Sequence, residues 1–218
     1  MKRIITHFYN TDMQKLKITF GMLVMALVML ALPARSQDFK AGIYGGIVPS
    51  QVDGDQQSGF HKLGFTVGTF VNRKLSTGKI QGELAFTTKG SKPTNNAADF
   101  PVNISLCYID LSLYYIIGVW NDLSLRAGIV PSILIDSKQD GVGIYTEANE
   151  GNSPFRRFST ELSAGLDYQF STHWSIGAAY NYSVFSIYKG DLTFLGIRPA
   201  ETNAHYNNYL RITLAYQF

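Results

Sequence analysis

The residues that could act in catalysis or bind a metal are few in this chain of 218 residues. After residue 36 the histidines are His61, His173 and His205. Hydrolysis by a nucleophilic serine needs a serine, a histidine and often an acid close together, and His173 approaches that pattern with Ser175. We interpret His173 as a turn residue, because it falls in the predicted short connection 171–173, and the strand that follows points Trp174 and Ser175 to opposite faces. The sequence therefore predicts no catalytic site and no enzyme.

Patterns that would hold a metal or a cofactor are incomplete. Asp53-Gly54-Asp55 and residues 136–141 supply loop carboxylates, but neither follows the D-x-[DN]-x-[DN]-G pattern of a calcium loop. Gly141-Val142-Gly143 lacks the third glycine and the following helix of a dinucleotide site. Cys107 is the single cysteine, so we interpret it as a packed apolar residue. We expect no metal and no cofactor.

The composition excludes several classes of protein. Hydrophobic residues make up 45% and charged residues 16% of the chain, whereas an average soluble protein has about 25% charged residues. The 13 Tyr and 14 Phe exclude a disordered chain. Residues 1–36 carry a net charge of +4 and the remainder carries −1. A basic surface that would bind nucleic acid is therefore not expected.

Residues 1–36 have the pattern of a secretory signal peptide. An uncharged, mostly apolar run of 15 residues, 18–32, follows Lys15 and Lys17, and it is shorter than the roughly 20 residues of a spanning helix. Ala34-Arg35-Ser36 supplies small residues at the −3 and −1 positions, so we predict cleavage before Gln37. Translation could also start at Met13, and an uncleaved membrane anchor is the alternative. Residues 37–218 are then the exported domain.

The exported domain alternates apolar and polar residues with a period of two, which predicts β-strands. Eight segments of about ten residues show this pattern, starting at or near Phe39, Leu63, Ile80, Tyr108, Leu123, Phe158, Trp174 and Leu210. Short connections near 73–78, 118–122 and 171–173 alternate with long polar ones near 49–60, 90–103, 136–157 and 189–207. We predict an all-β fold, an eight-stranded antiparallel up-and-down transmembrane barrel with both termini at the periplasmic, short-turn end.

The chemistry of the two strand faces favours a membrane barrel over a soluble β-sandwich or lipocalin-like barrel. From residue 104 onward the apolar faces carry almost no charge, and the opposite faces hold Gly, Ser, Thr and scattered charges. A large apolar face suits lipid, so we expect Leu113, Leu125 and Leu166 to face acyl chains. Aromatic residues at strand ends would form interfacial girdles: Phe39, Tyr115, Tyr168, Phe170, Trp174 and Phe218.

Seven charged residues of both signs are predicted on the lumen face: Lys40, Glu83, Asp110, Arg126, Glu161, Asp167 and Arg211. The interior of an eight-stranded barrel is just wide enough to be filled by side chains, and buried charges need partners. The mixed signs predict an ion-pair network that closes the lumen; alternatively, some of these groups face water at the mouths. Arg126 and Asp167 lie at nearly the same height on adjacent predicted strands, so we predict that they pair, with Glu83 competing for Arg126.

Pro131 conflicts with its place inside the fifth predicted strand. Proline cannot donate a hydrogen bond to the strand ladder, and a closed barrel has no free edge to accommodate it. We therefore expect a β-bulge at Pro131, or a strand that is already close to its extracellular end.

The C-terminus, YLRITLAYQF, ends on an aromatic residue with apolar residues at every second position before it. This set, namely Leu210, Ile212, Leu214, Tyr216 and Phe218, resembles the recognition signal that the outer-membrane barrel-assembly machinery reads. The resemblance implies insertion by that machinery into the outer membrane of a Gram-negative bacterium.

Longer stretches resemble the PorT family of outer-membrane barrel proteins of the Bacteroidetes type, with a barrel like those of OmpA and OmpX. CYIDLSLYYIIG (107–118) and LSLRAGIVPSILI (123–135) are similar to the central hairpin of that family, and ELSAGLDYQFSTHWSIGAAYNYS (161–183) is similar to its next two strands. Asp110-Leu111 stands where the family usually has a proline. The resemblance implies fold and location but fixes no activity, because PorT-like members are linked to protein secretion or have no assigned role.

These observations favour a non-enzymatic outer-membrane barrel that serves a structural, adhesive or secretion-accessory role through its long loops. The expected partners are outer-membrane lipid and lipopolysaccharide, the assembly machinery during insertion, and a secretion-system or extracellular protein. A small pore or transporter is an alternative, although aqueous channels generally have more strands. An enzyme that modifies lipid is a further alternative, without a catalytic cluster to support it.

Overall fold

The computed structural model describes residues 39–54, 59–93, 102–141, 144–147, 153–189 and 205–218. The predicted signal peptide and its cleavage site before Gln37 lie outside these residues. Nine strands are present in the described part: β1 (Phe39–Asp53), β2 (Lys62–Lys74), β3 (Lys79–Ser91), β4 (Val102–Trp120), β5 (Leu123–Gly141), β6 (Ile144–Glu147), β7 (Phe158–Gln169), β8 (Trp174–Ser183) and β9 (Tyr206–Gln217). The described residues include no helix of the length and apolarity needed to cross a membrane.

Eight of these strands close into an antiparallel barrel in the order β1-β2-β3-β4-β5-β7-β8-β9. The first and last strands pair along ten recorded positions, including Ile43 with Tyr216 and Ile47 with Ile212, which closes the ring. This confirms the predicted fold. The extra strand β6 pairs only with the end of β5. It lies within the predicted long loop at 136–157. The first residues of that predicted loop also belong to a strand, because β5 continues to Gly141 instead of ending near Ile135.

The two ends of the barrel differ in the length of their connections. The β2–β3, β4–β5 and β7–β8 connections are short, and we call this the short-turn end; the other is the long-loop end. Asn121 in the β4–β5 turn has a φ of 37°, a left-handed conformation that asparagine adopts more readily than most residues. Phe39 and Phe218 both lie at the short-turn end, where the amide of Phe218 donates to the carbonyl of Ala41.

The strands present their apolar residues outward and their polar residues inward. Leu113, Leu125 and Leu166 have 52%, 47% and 47% of their surface exposed. The neighbouring residues Ser112 and Arg126 are buried in the lumen. A soluble fold would bury its large apolar side chains, so this pattern fits a barrel whose solvent is lipid.

Pro131 is accommodated in a different way from that predicted. On one side, Pro131 pairs with Thr160 of β7. On the other side, the pairing of β4 with β5 stops at Asp110–Ser132 and resumes in the same register at Leu113–Ile129. The residue that lacks an N–H thus sits in a two-pair gap of the ladder. The bulge lies further along, where the register shifts between Cys107 and Tyr108. The expectation of a bulge or a strand end at Pro131 is therefore wrong, since β5 runs ten residues past it.

Candidate functional site

The candidate site is the barrel lumen, where charged side chains form two groups at different heights. The turn-side cluster consists of Glu83, Arg126, Asp167 and Arg211. The loop-side cluster consists of Lys89, Asp110 and Glu161. These residues come from β3, β4, β5, β7 and β9, and the period of two along each strand points them to the same interior.

In the turn-side cluster, one carboxylate lies between two guanidinium groups. Arg126 Nη2 lies 2.5 Å from Glu83 Oε1, and Arg211 Nη1 lies 2.9 Å from Glu83 Oε2. Arg126 also contacts Asp167, with Nη1 and Oδ1 3.3 Å apart. The ring of Tyr114 lies 4.1 Å from the guanidinium of Arg126 and 5.3 Å from that of Arg211. Each arginine therefore has both a carboxylate and an aromatic face as a neighbour.

A glycine makes room for the contact between Arg126 and Asp167. A Cβ atom added to Gly177 on β8 would lie 2.5 Å from Asp167 Oδ1 and 3.7 Å from Arg126 Nη1. Arg126 and Asp167 themselves are offset by two positions, because Arg126 pairs with Gly165 and Asp167 pairs with Ser124. The contact is therefore diagonal across β5 and β7, and not between directly opposed residues.

The loop-side cluster is centred on Glu161, which is fully buried. Its carboxylate accepts hydrogen bonds from Lys89 at 3.0 Å, Ser132 at 2.9 Å and Ser159 at 3.0 Å. Lys89 also lies 4.0 Å from Asp110. Several neutral donors and one ammonium group thus compensate for the burial of the Glu161 charge.

The structure differs from the sequence prediction for two lysines. Lys40 was predicted inside the ion-pair network, but it is exposed at the short-turn mouth, where the barrel opens to solvent. Lys89 was missed, although it is 1% exposed and pairs with two carboxylates. The alternation of β3 could have predicted it, because Lys89 follows Glu83 and Thr87 on the inward-facing side of that strand.

An apolar cap lies at the long-loop end of the lumen. Six buried residues form it, namely Val52, Ile104, Leu106, Tyr108, Phe155 and Ile187. Phe155 and Ile187 come from segments outside the strands, and these segments are joined by a bridge between Phe155 and Tyr188 and by a hydrogen bond from Arg156 Nε to the Tyr188 carbonyl. At the opposite end, beside the turn-side cluster, the lumen retains a cavity of about 50 Å³. Side chains thus fill the lumen between the cap and this cavity.

The histidines considered for chemistry lie at opposite ends of the barrel. His173 sits in the β7–β8 turn and stacks on Tyr216, with ring centroids 5.7 Å apart. His205 stacks on Tyr188 at the long-loop end, and His61 lies just before β2 at that same end. The described part of the chain has no cluster of three or more potential metal ligands.

The C-terminal residues predicted as an assembly signal lie on or toward the outer face of β9. Leu210, Ile212, Leu214 and Phe218 are exposed. Tyr216 packs between Trp174 and Phe218, with ring centroids 5.0 Å and 5.7 Å away. The final strand thus ends in an aromatic cluster at the short-turn end.

A closed eight-stranded barrel with an apolar outside and a charged, filled inside is the architecture of small outer-membrane proteins. The chain belongs to this class, since residues 20–218 match the family model of the outer membrane protein beta-barrel domain. No curated protein sequence matches the chain significantly.

Two solved outer-membrane barrels are similar to this structure. Neisserial surface protein A (NspA) has 14% sequence identity and a TM-score of 0.50, over 83% of this chain and 97% of that one. Ail, the attachment invasion locus protein of Yersinia pestis, solved with the heparin analogue sucrose octasulfate, has 14% identity and a TM-score of 0.49, over 84% of this chain and 100% of that one. At such identity, the likeness to NspA concerns the fold.

Proposed function

We propose that this protein is a non-enzymatic outer-membrane barrel with a closed lumen, which acts through the segments at its long-loop end. The filled lumen carries the proposal. Two ion-paired clusters lie beneath an apolar cap. This arrangement supports a stable scaffold rather than a water-filled channel. In this proposal the long loops are extracellular and both termini are periplasmic.

We further propose a PorT-like adhesive or secretion-accessory role. The support is the resemblance of residues 107–118, 123–135 and 161–183 to that family, together with the long connections at one end of the barrel. Loops on a rigid scaffold are where binding specificity usually lies. The partner would be an extracellular protein or a component of a secretion system.

Lipopolysaccharide is the proposed lipid partner. A cavity of about 330 Å³ near the long-loop end is lined by Ile109, Ile133 and Ile135 and also by the exposed Arg157 and Lys189. The isoleucines suit an acyl chain, and the two cations, which outnumber the one carboxylate among the described residues of the cavity wall, that of Asp136, suit the phosphate groups of an outer-leaflet lipid. This combination supports contact with an anionic lipid at the membrane surface.

Single-channel recording tests the closed lumen. The purified wild-type protein in a planar bilayer should give no steady conductance, because charged and apolar side chains occupy the path. Large, steady channels would overturn the proposal and favour a pore.

Crosslinking in intact outer membrane tests the role of the loops. Replacement of residues 190–204 by a short Gly-Ser linker should abolish a specific crosslinked partner and leave heat-modifiable migration of the barrel unchanged. The matched control carries the same Gly-Ser linker in place of residues 75–78, which form a short turn. An unchanged set of partners in the 190–204 variant would contradict a loop-mediated function.

A further inference from the structure

Three lysines surround the short-turn mouth of the barrel. Lys40, Lys74 and Lys79 line a cavity of about 360 Å³ together with polar side chains that include Asn72 and Ser124. We call this cavity the lysine pocket. Of the residues that the structure describes, none that lines the pocket is acidic. The pocket therefore concentrates positive charge without a matching carboxylate in its wall.

Strand register forces these lysines onto one face. Lys74 pairs directly with Lys79 across the β2–β3 turn. Lys40 pairs with Asn72, which places Lys74 at the diagonal position two residues further along β2. Directly opposed like charges destabilise a sheet, and diagonal neighbours are within reach of long side chains. The fold thus places three lysines at neighbouring positions on one face, at a cost in stability.

The neighbouring carboxylates offset this charge only in part, because Asp167 attracts Lys79 while Lys40 repels it. Within the described residues, no ion pair is formed by Lys40, Lys74 or Lys79. Asp167, on the lumen side of the mouth, is already held by Arg126 at 3.3 Å. A mobile anion would relieve the repulsion that the strand pairing imposes.

We propose that the lysine pocket binds a phosphate-bearing anion. A phosphate group carries up to two negative charges on a compact set of oxygens, so several ammonium groups can contact it at once. The hydroxyls of Ser76 and Ser124 in the pocket wall add donors for the remaining oxygens. The phosphate belongs either to a soluble compound or to the headgroup of a lipid at this rim of the barrel.

Pyrophosphate titration of the purified protein tests the proposal. The protein is placed in nanodiscs of phosphatidylcholine, and binding is measured by calorimetry at constant ionic strength. Wild-type protein should bind pyrophosphate saturably at one site. The Lys74→Gln/Lys79→Gln variant should bind at least about tenfold more weakly, because two charge-assisted contacts are lost.

Lys138→Gln is the matched control, since Lys138 is exposed on β5 toward the long-loop end. It should bind pyrophosphate as the wild type does. If the double variant loses heat-modifiable migration, Lys40→Gln replaces it, because Lys40 is exposed and at the mouth. The absence of saturable binding, or equal weakening by Lys138→Gln, would overturn the proposal.

A change of lipid distinguishes the two sources of phosphate. Nanodiscs that contain phosphatidylglycerol are compared with nanodiscs that contain the same amount of negatively charged oleate, so that surface charge is matched. Weaker pyrophosphate binding in phosphatidylglycerol than in oleate supports a lipid headgroup as the ligand. Equal binding in the two bilayers supports a soluble phosphate compound.

Discussion

At the scale of single residues, Glu83 organises the turn-side cluster. It is 3% exposed, and its two oxygens contact different arginines, Arg126 and Arg211. Asp167 has one such contact, and its side chain is 17% exposed. A buried charge that loses its partner is strongly destabilising, whereas a partly hydrated one is less so. The two carboxylates should therefore differ in their contribution to stability.

Replacement of Glu83 by glutamine should lower the free energy of unfolding by about 3–5 kcal/mol, because both arginines lose their shared carboxylate. Asp167→Asn should cost less, since Arg126 keeps Glu83 as a partner. Urea unfolding in lipid vesicles measures both, with Asp122→Asn in an exposed turn as the control. Equal losses for Glu83→Gln and Asp167→Asn would argue against the central position of Glu83.

The diagonal contact between Arg126 and Asp167 should appear as energetic coupling. Arg126→Met and Asp167→Leu together should cost less than the sum of the two single changes, because the double variant leaves neither charge of the pair behind. The same unfolding assay gives the double-mutant cycle. Additive costs would show that the 3.3 Å contact contributes no coupling.

At the scale of elements, each strand separates two environments by alternation. On β4, Leu113 lies outside and Ser112 and Tyr114 lie inside. The same side-chain change should consequently act through different physics at adjacent positions. On the outer face, an added charge would contact lipid. On the inner face, added side-chain volume would clash with residues that already fill the lumen.

Leu113→Arg should destabilise the inserted barrel by about 2–4 kcal/mol, the usual cost of arginine at an outward position near the bilayer midplane. Ser171→Arg, in the exposed β7–β8 turn, is the control and should be near neutral. Unfolding from lipid vesicles gives both values. Equal tolerance at the two positions would mean that the outer face of β4 does not meet lipid.

The last strand should also carry the assembly signal. Deletion of Phe218 removes an aromatic contact to Tyr216 and the terminal aromatic that resembles the recognition signal. The variant should be exported but poorly inserted. Heat-modifiable migration of membrane fractions on gels reports insertion, and Phe218→Tyr, which keeps the aromatic end, should behave as the wild type. Normal migration of the deletion variant would contradict the prediction.

At the scale of the whole molecule, the barrel is layered along its axis. The apolar cap at the long-loop end is followed by the loop-side cluster, the turn-side cluster and the lysine pocket. Side chains from both sides of the ring meet in these layers; for example, Arg211 on β9 reaches Glu83 on β3. The closed ring is therefore a condition for the ion pairs.

Export should remove residues 1–36 before the barrel assembles. N-terminal sequencing of protein extracted from the outer membrane should begin at Gln37, because Ala34-Arg35-Ser36 supplies a small-residue cleavage site after the apolar run 18–32. Ser36→Leu, which removes the small residue at −1, should slow processing. Retention of residues 18–32 in the mature protein would support an uncleaved anchor instead.

The sequence by itself determined the number of barrel strands and the side to which most residues point. Both follow from a period of two that operates within a single strand, so Leu125 and Arg126 could be assigned to opposite faces without a structure. For the same reason, most of the charged residues in the lumen could be predicted from the sequence. Lys89 is absent from the predicted set because the alternation that predicts the third strand ends at Thr87.

Tertiary structure alone decided which charges meet. Partners such as Arg211 and Glu83 are far apart in sequence, and their contact depends on the stagger of strands around a closed ring. The same stagger leaves Lys40 at an open mouth and brings Phe155 and Ile187 together in the apolar cap. Local alternation carries no information about height along the barrel axis, and height selects the partners.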